Sequence, residues 1–149
     1  SKRRRIIELV RKDLLTPRGL RSLSPRDPSF IGKYQGNENQ RESSFHQGTV
    51  WPWMLEFLVQ ASFNLYGPSD IGFAEMVYNG FQDTMKEHGI GTISEVYDAD
   101  PPHKPGGATS FAASVAAVLR IKQMIGQQKE LLKDTEEKKA SQQKSILHK

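Results

Sequence analysis

An all-α fold is what this sequence predicts, and three observations predict it. Apolar residues recur every three or four positions in four separate stretches. Proline or glycine closes the first three of them, as helix ends require. Strand character is mild and confined to Thr92–Tyr97.

The first helix covers about residues 3–15, where Ile6, Ile7, Leu9, Val10 and Leu14 share a face. Thr16-Pro17 ends it, because the residue before a proline is driven out of the helical region. Residues 17–47 show no sustained period, and Gly19, Pro25, Pro28, Gly32 and Gly36 punctuate them. A loop longer than about 12 to 15 residues is functional or disordered more often than idle. Its Leu, Phe, Ile and Tyr content argues for function.

Thr49 is placed to cap a second helix with Pro52 in the first turn and Val50, Trp51, Met54, Leu55, Leu58 and Leu65 on one apolar face. Gly67-Pro68 stops it. Ser69 caps a third, carried by Ile71, Ala74, Val77, Tyr78, Phe81 and Met85 and stopped at Gly89, so the two form a helical hairpin. A proline- and glycine-rich loop at 98–107 follows, then a fourth helix from about Thr109 through Phe111, Val115, Val118 and Leu119. Apolar residues thin out after Gly126, so 127–149 reads as a polar tail, helical or disordered.

The chain has 149 residues, 36% of them hydrophobic and 26% charged, which suits one ordinary domain. There is no Cys, so disulfides, thiolate metal sites and Cys nucleophiles are out, and a cytoplasmic location is expected. No apolar run approaches the ~18 to 20 residues of a membrane span, so no membrane partner is expected. No secretory signal is visible, and the first residues run straight into a periodic segment, like an excised piece of a longer chain. The net charge of +4 sits at the two ends: residues 1–26 hold nine Lys/Arg against two acids, and 122–149 hold seven against four. The body, 27–121, holds five against eleven. An acidic body with two Trp fits a neutral, hydroxyl-rich ligand and no nucleic acid.

Two loops gather reactive side chains. The first, Arg41-Glu-Ser-Ser-Phe-His-Gln-Gly-Thr-Val-Trp-Pro-Trp53, combines an Arg, the Glu42 carboxylate, His46 and two Trp. Flat aromatic faces cover the C–H side of a pyranose while charged and amide groups bond its hydroxyls. The alternative keeps Trp51 and Trp53 as helix core and His46 as a satisfied loop residue. The second loop, Gly91-Thr-Ile-Ser-Glu-Val-Tyr-Asp-Ala-Asp-Pro-Pro-His103, holds Glu95, Asp98 and Asp100, and glycoside hydrolysis needs two carboxyl groups across one bond. A cation site or simple turn caps are the other readings of the two Asp residues. Glu95 lies between Ile93 and Val96-Tyr97, an apolar setting that suits acid–base work.

Taken together, Leu14-Leu-Thr-Pro-Arg-Gly-Leu-Arg-Ser-Leu23, Phe45-His-Gln-Gly-Thr-Val-Trp-Pro-Trp53, Gly91-Thr-Ile-Ser-Glu-Val-Tyr-Asp98 and Ser114-Val-Ala-Ala-Val-Leu-Arg120 resemble consecutive landmarks of the amylo-alpha-1,6-glucosidase family, the glucosidase part of glycogen debranching enzymes. The resemblance implies a six-hairpin (α/α)6 barrel, with residues 1–126 as its C-terminal part. It implies inverting hydrolysis of the α-1,6-linked glucose at glycogen branch points, without cofactor or metal. Glu95 would be the general base, with the acid upstream of Ser1, so that the chain alone would be inactive. Arg41, Glu42, His46, Trp51 and Trp53 would bind the sugar, supported by Arg18, Arg21 and Asp98. Family members carry Asp and Tyr where this chain has Glu42 and Phe45, and Gln and Trp where it has Phe111 and Ala113. The competing expectations are a carbohydrate-binding module and a structural helical domain, both without catalysis.

Overall fold

A computed structural model describes residues 1–147, with side chains through 143. Helix α1, Lys2–Asp13, is capped by the Ser1 side chain and buries Ile7. Strands β1, Leu15–Thr16, and β2, Gly19–Arg21, follow as a hairpin. Helix α2 spans Glu38–Phe45, β3 spans Val50–Trp51, and a 3-10 turn at Pro52–Met54 leads into α3, Leu55–Tyr66. A second 3-10 turn precedes α4, Ile71–Asn79; then come α5, Thr84–Glu87, strands β4, Val96–Tyr97, and β5, Pro105–Gly106, and α6, Ala112–Leu147.

The all-α expectation, and with it the six-hairpin barrel, is overturned. The chain is mixed α/β, its helices joined by a five-stranded antiparallel sheet in the order β1-β2-β3-β4-β5. Each strand has two or three residues, too few for alternation to register against a helical period. Long-range backbone pairing builds this sheet, and composition carries no trace of it.

Helical positions fared differently element by element. Val50 and Trp51 lie in β3, so α3 begins at Leu55, six residues past the expected Thr49 cap. The third helix ends at Asn79, where the Arg18 guanidinium takes the Gly80 carbonyl and a Cβ at Gly80 would stand 2.7 Å from the Pro17 carbonyl oxygen. Helix α2 falls inside the segment expected to be loop. Its apolar face is negligible, but Asn37 and Gln40 form a reciprocal capping box, a signal present in the sequence.

The core lies where α3, α4 and α6 meet. Leu55, Leu58, Val59, Ser62 and Phe63 step along one face of α3, and Ser114, Ala117, Val118, Ile121, Met124 and Ile125 along one face of α6. Each large side chain so buried stabilises the fold by about 1.5–3 kcal/mol. Arg11 ties α1 to this core: its guanidinium bonds Ser62 and Asp70 and lies 3.6 Å from the centre of the Phe73 ring. Beyond Ile125 the face of α6 turns polar, and a 2.6 Å ion pair joins Lys129 to Glu75 of α4. Among the described residues no helix is long and apolar enough to cross a membrane.

Candidate active site

The sheet brings the two reactive loops together. Leu20 pairs with Trp51, Arg21 with Val50, and Val50 in turn with Tyr97. Because β3 and β4 are antiparallel, the Trp51 end of β3 lies beside the Glu95 end of β4. Gly19 permits the close approach of β2: its φ is +154°, and a Cβ there would stand 2.6 Å from the Trp51 carbonyl carbon.

Arg21, Ser22, His46, Trp51, Trp53 and Met54 line a cleft of about 360 Å³, with Val10, Leu14 and Leu20 completing the wall. The His46 ring lies nearly parallel to Trp51, 12° apart with centroids at 6.5 Å, and Phe45 meets both edge-on. Trp51 donates its indole N–H to the Phe45 carbonyl at 3.2 Å, which fixes the ring. Only 9% of Trp51 is exposed against 36% of Trp53, so Trp53 presents the broader face to solvent. Trp53 in turn rests edge-on against Phe57.

Arg21 spans from the cleft to the second loop. Its guanidinium donates to the Ala99 carbonyl at 3.2 Å and the Asp13 carbonyl at 3.4 Å, while its buried Nε has no partner among the described residues. Burial lowers its pKa, and the nearby Asp100 carboxylate works against that shift. Arg18 faces elsewhere, bonding the Gly80 carbonyl and lying 3.9 Å from Glu87, so it fastens the β1–β2 turn to the end of α4. Arg41 and Glu42 are exposed on α2 and do not line the cleft; Arg41 turns back to the Gly36 carbonyl at 2.6 Å.

Glu95 is half-buried between the buried Ser94 and Val96. Its backbone N–H donates to the Ala108 carbonyl at 2.9 Å, and its Oε2 accepts from the Ala108 N–H at 2.8 Å, so both ends of the residue are held by one partner. Asp98 is 7% exposed and its Oδ1 accepts from the Tyr34 N–H at 2.7 Å. Asp100 donates its N–H to the Gly32 carbonyl, so these two residues pin the 30–34 segment against the sheet, a role close to that of turn caps. Among the described residues no three potential metal ligands converge. Behind β4, Ser94 donates its N–H to the buried Tyr97 hydroxyl at 3.3 Å and its Oγ lies 3.0 Å from His88 Nδ1. Burial raises the Tyr97 pKa, opposed by the Ser94 bond and by Arg18.

Sequence reasoning missed several contributors. Ser22 accepts from the Gly48 N–H at 2.9 Å and joins the Arg21 strand to the His46 loop; it stood inside the Arg-Ser-Leu23 landmark but carried no obvious chemistry. Phe45 packs the His46–Trp51 pair and Tyr34 leans on it at 6.0 Å. The Gly107-Ala108 support of Glu95 is a contact across thirteen positions, for which no local pattern exists. A protein-family model described as amylo-alpha-1,6-glucosidase matches residues 1–120. No curated protein matches the chain.

Proposed function

Because the chain belongs to the amylo-alpha-1,6-glucosidase family, we propose that it serves a glycoside hydrolase that releases α-1,6-linked glucose from the branch points of an α-glucan such as glycogen, with inversion. Glu95 acts as general base. What supports this reading is the antiparallel pairing of Val50 with Tyr97, which carries the Glu95 loop and the Trp51 loop on neighbouring strands. Glu95 itself is not among the residues that line the cleft of Arg21, His46 and Trp53. The bond from Ala108 uses only Oε2 and orients the carboxylate. Oε1 then takes a proton from water as the water attacks the anomeric carbon, while the glycosidic oxygen leaves on the opposite face with a proton from a carboxylic acid.

Trp53 covers the C–H face of the sugar, and Arg21, Ser22 and His46 bond its hydroxyls. Arg41 and Glu42 stand outside this cleft and serve a more distant part of the glucan. Asp98 is only 7% exposed and braces the 30–34 segment, so the reading keeps it as support; it assigns the acid to a part of the catalytic domain preceding these residues, and the enzyme to the cytoplasm with its polymer.

The test is stereochemical. In the enzyme with its acid in place, proton NMR of the first product formed from an α-1,6-linked glucoside shows β-glucose, and Glu95→Gln lowers turnover ~10²-fold or more while binding is retained. α-Glucose as first product, or near-normal turnover of the Gln variant, overturns the assignment. Binding of isomaltose that quenches Trp53, in an enzyme indifferent to Glu95→Gln, favours a carbohydrate-binding role without catalysis at this residue.

A further inference from the structure

Glu95 stands on a segment gripped from two sides. On one side lie residues 108–111: the Ala108 carbonyl accepts from the Glu95 N–H, the Phe111 N–H donates to the Ile93 carbonyl at 3.0 Å, and the Thr92 and Ser110 hydroxyls lie 2.6 Å apart. Ser94, between Ile93 and Glu95, bonds elsewhere. Its N–H donates to the Tyr97 hydroxyl at 3.3 Å, and its Oγ lies 3.0 Å from Nδ1 of the half-buried His88.

The imidazole is delivered by a turn built for it. His88 closes α5, Gly89 follows with a φ of +70°, and the Gly91 and Thr92 N–H groups donate back to the Met85 and Gly89 carbonyls at 2.8 and 3.1 Å. A serine bonded to a histidine is also the pattern of a nucleophile with its base, but Ser94 is 0% exposed and meets no substrate. What the pair can do is fix geometry. A buried hydroxyl is costly to leave without its partner, so His88 holds the Ser94 side chain in one rotamer. One planar peptide joins Ser94 to Glu95, so a twist at residue 94 re-aims the carboxylate that follows it.

We propose that His88 is a positioning residue for Glu95, acting through Ser94: the bond between imidazole and hydroxyl holds the peptide plane that carries Glu95, so that the carboxylate stays on the Ala108 N–H. This role rests on the reading of Glu95 as general base.

Two variants separate the bond from the bulk. His88→Asn keeps a polar atom where Nδ1 stands, and His88→Leu has the same branching without one. In the full chain the Ala108 amide proton reports the contact directly. Donation to a carboxylate moves its NMR resonance downfield, and Glu95→Gln marks the position with that charge removed. At neutral pH, His88→Leu is expected to move the Ala108 resonance most of the way to the Glu95→Gln position, and His88→Asn to leave it near the parent's. In the enzyme with its acid in place, His88→Leu is expected to lower kcat ~10-fold at unchanged KM, because the carboxylate is displaced and the sugar cleft is not touched. His88→Asn recovers most of that loss. With Glu95→Gln already present, His88→Leu costs nothing further, since its whole effect passes through that carboxylate. If thermal unfolding shows that His88→Leu melts early, His88→Leu combined with Ser94→Ala removes both polar partners and takes its place, with the same outcomes expected.

The proposal is overturned if the Ala108 resonance of His88→Leu stays with the parent, or if the Asn and Leu variants fall alike. It is also overturned if the loss in turnover is as large in the Glu95→Gln background, which marks a role in the fold alone. Near-normal turnover of Glu95→Gln sinks the general-base reading instead, and the Ala108 resonance then still decides whether His88 holds the carboxylate.

Discussion

Glu95 has Gly107 at its back: a Cβ there would stand 2.5 Å from Oε2, and the φ of +66° already disfavours any other residue. Gly107→Ala should therefore push the carboxylate off its Ala108 bond, costing ~1–3 kcal/mol in unfolding free energy. Turnover should fall by ~10-fold or more through misplacement alone. Thermal unfolding and steady-state kinetics on the one variant read both effects. Tyr97 gives a prediction in pH. Its raised pKa means the folded state keeps the phenol protonated where the unfolded chain, near 10, has begun to ionise. Stability from this group is thus complete below pH ~10 and declines as the pH climbs towards the folded value. Tyr97→Phe should flatten that alkaline decline in denaturant titrations between pH 9 and 11, at the cost of the Ser94 bond at neutral pH. At this scale the sequence made Glu95 and Trp51 visible, since both sit in dense motifs. It hid Ser22 and Ala108, because their importance comes from partners 26 and 13 positions away.

Among the elements, α1, α3 and the start of α6 were legible because each carries apolar residues at helical spacing over about three turns. Of the strands only β4 was legible, inside the Thr92–Tyr97 stretch of strand character; the others are two- or three-residue pairings too short to leave a period. Helix α2 stood between these cases, invisible by periodicity and signalled only by its capping box. The α6 helix offers two measurements. Gly126 lies in its interior with nothing within 4 Å of a built Cβ, so Gly126→Ala should stabilise the protein by about 0.5–1 kcal/mol in chemical denaturation. Removing residues 134–149 should leave the melting temperature within a few degrees, since residues 134–143 are exposed throughout. A cut before Met124 should unfold the chain, as Met124 and Ile125 belong to the core. A large loss from the shorter truncation would show that the tail docks.

For the molecule as a whole, α1 carries six Lys/Arg against two acids, and five of the nine residues that line the cleft, Arg21 among them, come from the basic first 26 residues rather than from the acidic body. The family was also legible, because four landmarks in order constrain more than any one pattern. The layered architecture was not, since it depends on the sheet. The 36 residues of α6 carry a consequence for how the particle moves through solution. At 1.5 Å per residue the helix is about 54 Å long, whereas a compact chain of this size has a radius of gyration of roughly 15 Å. A rod of that length drags: the monomer should elute from a sizing column ahead of spherical standards of equal mass, mimicking a dimer. Light scattering or sedimentation equilibrium, which weigh the particle whatever its shape, should return 16.8 kDa for the same sample.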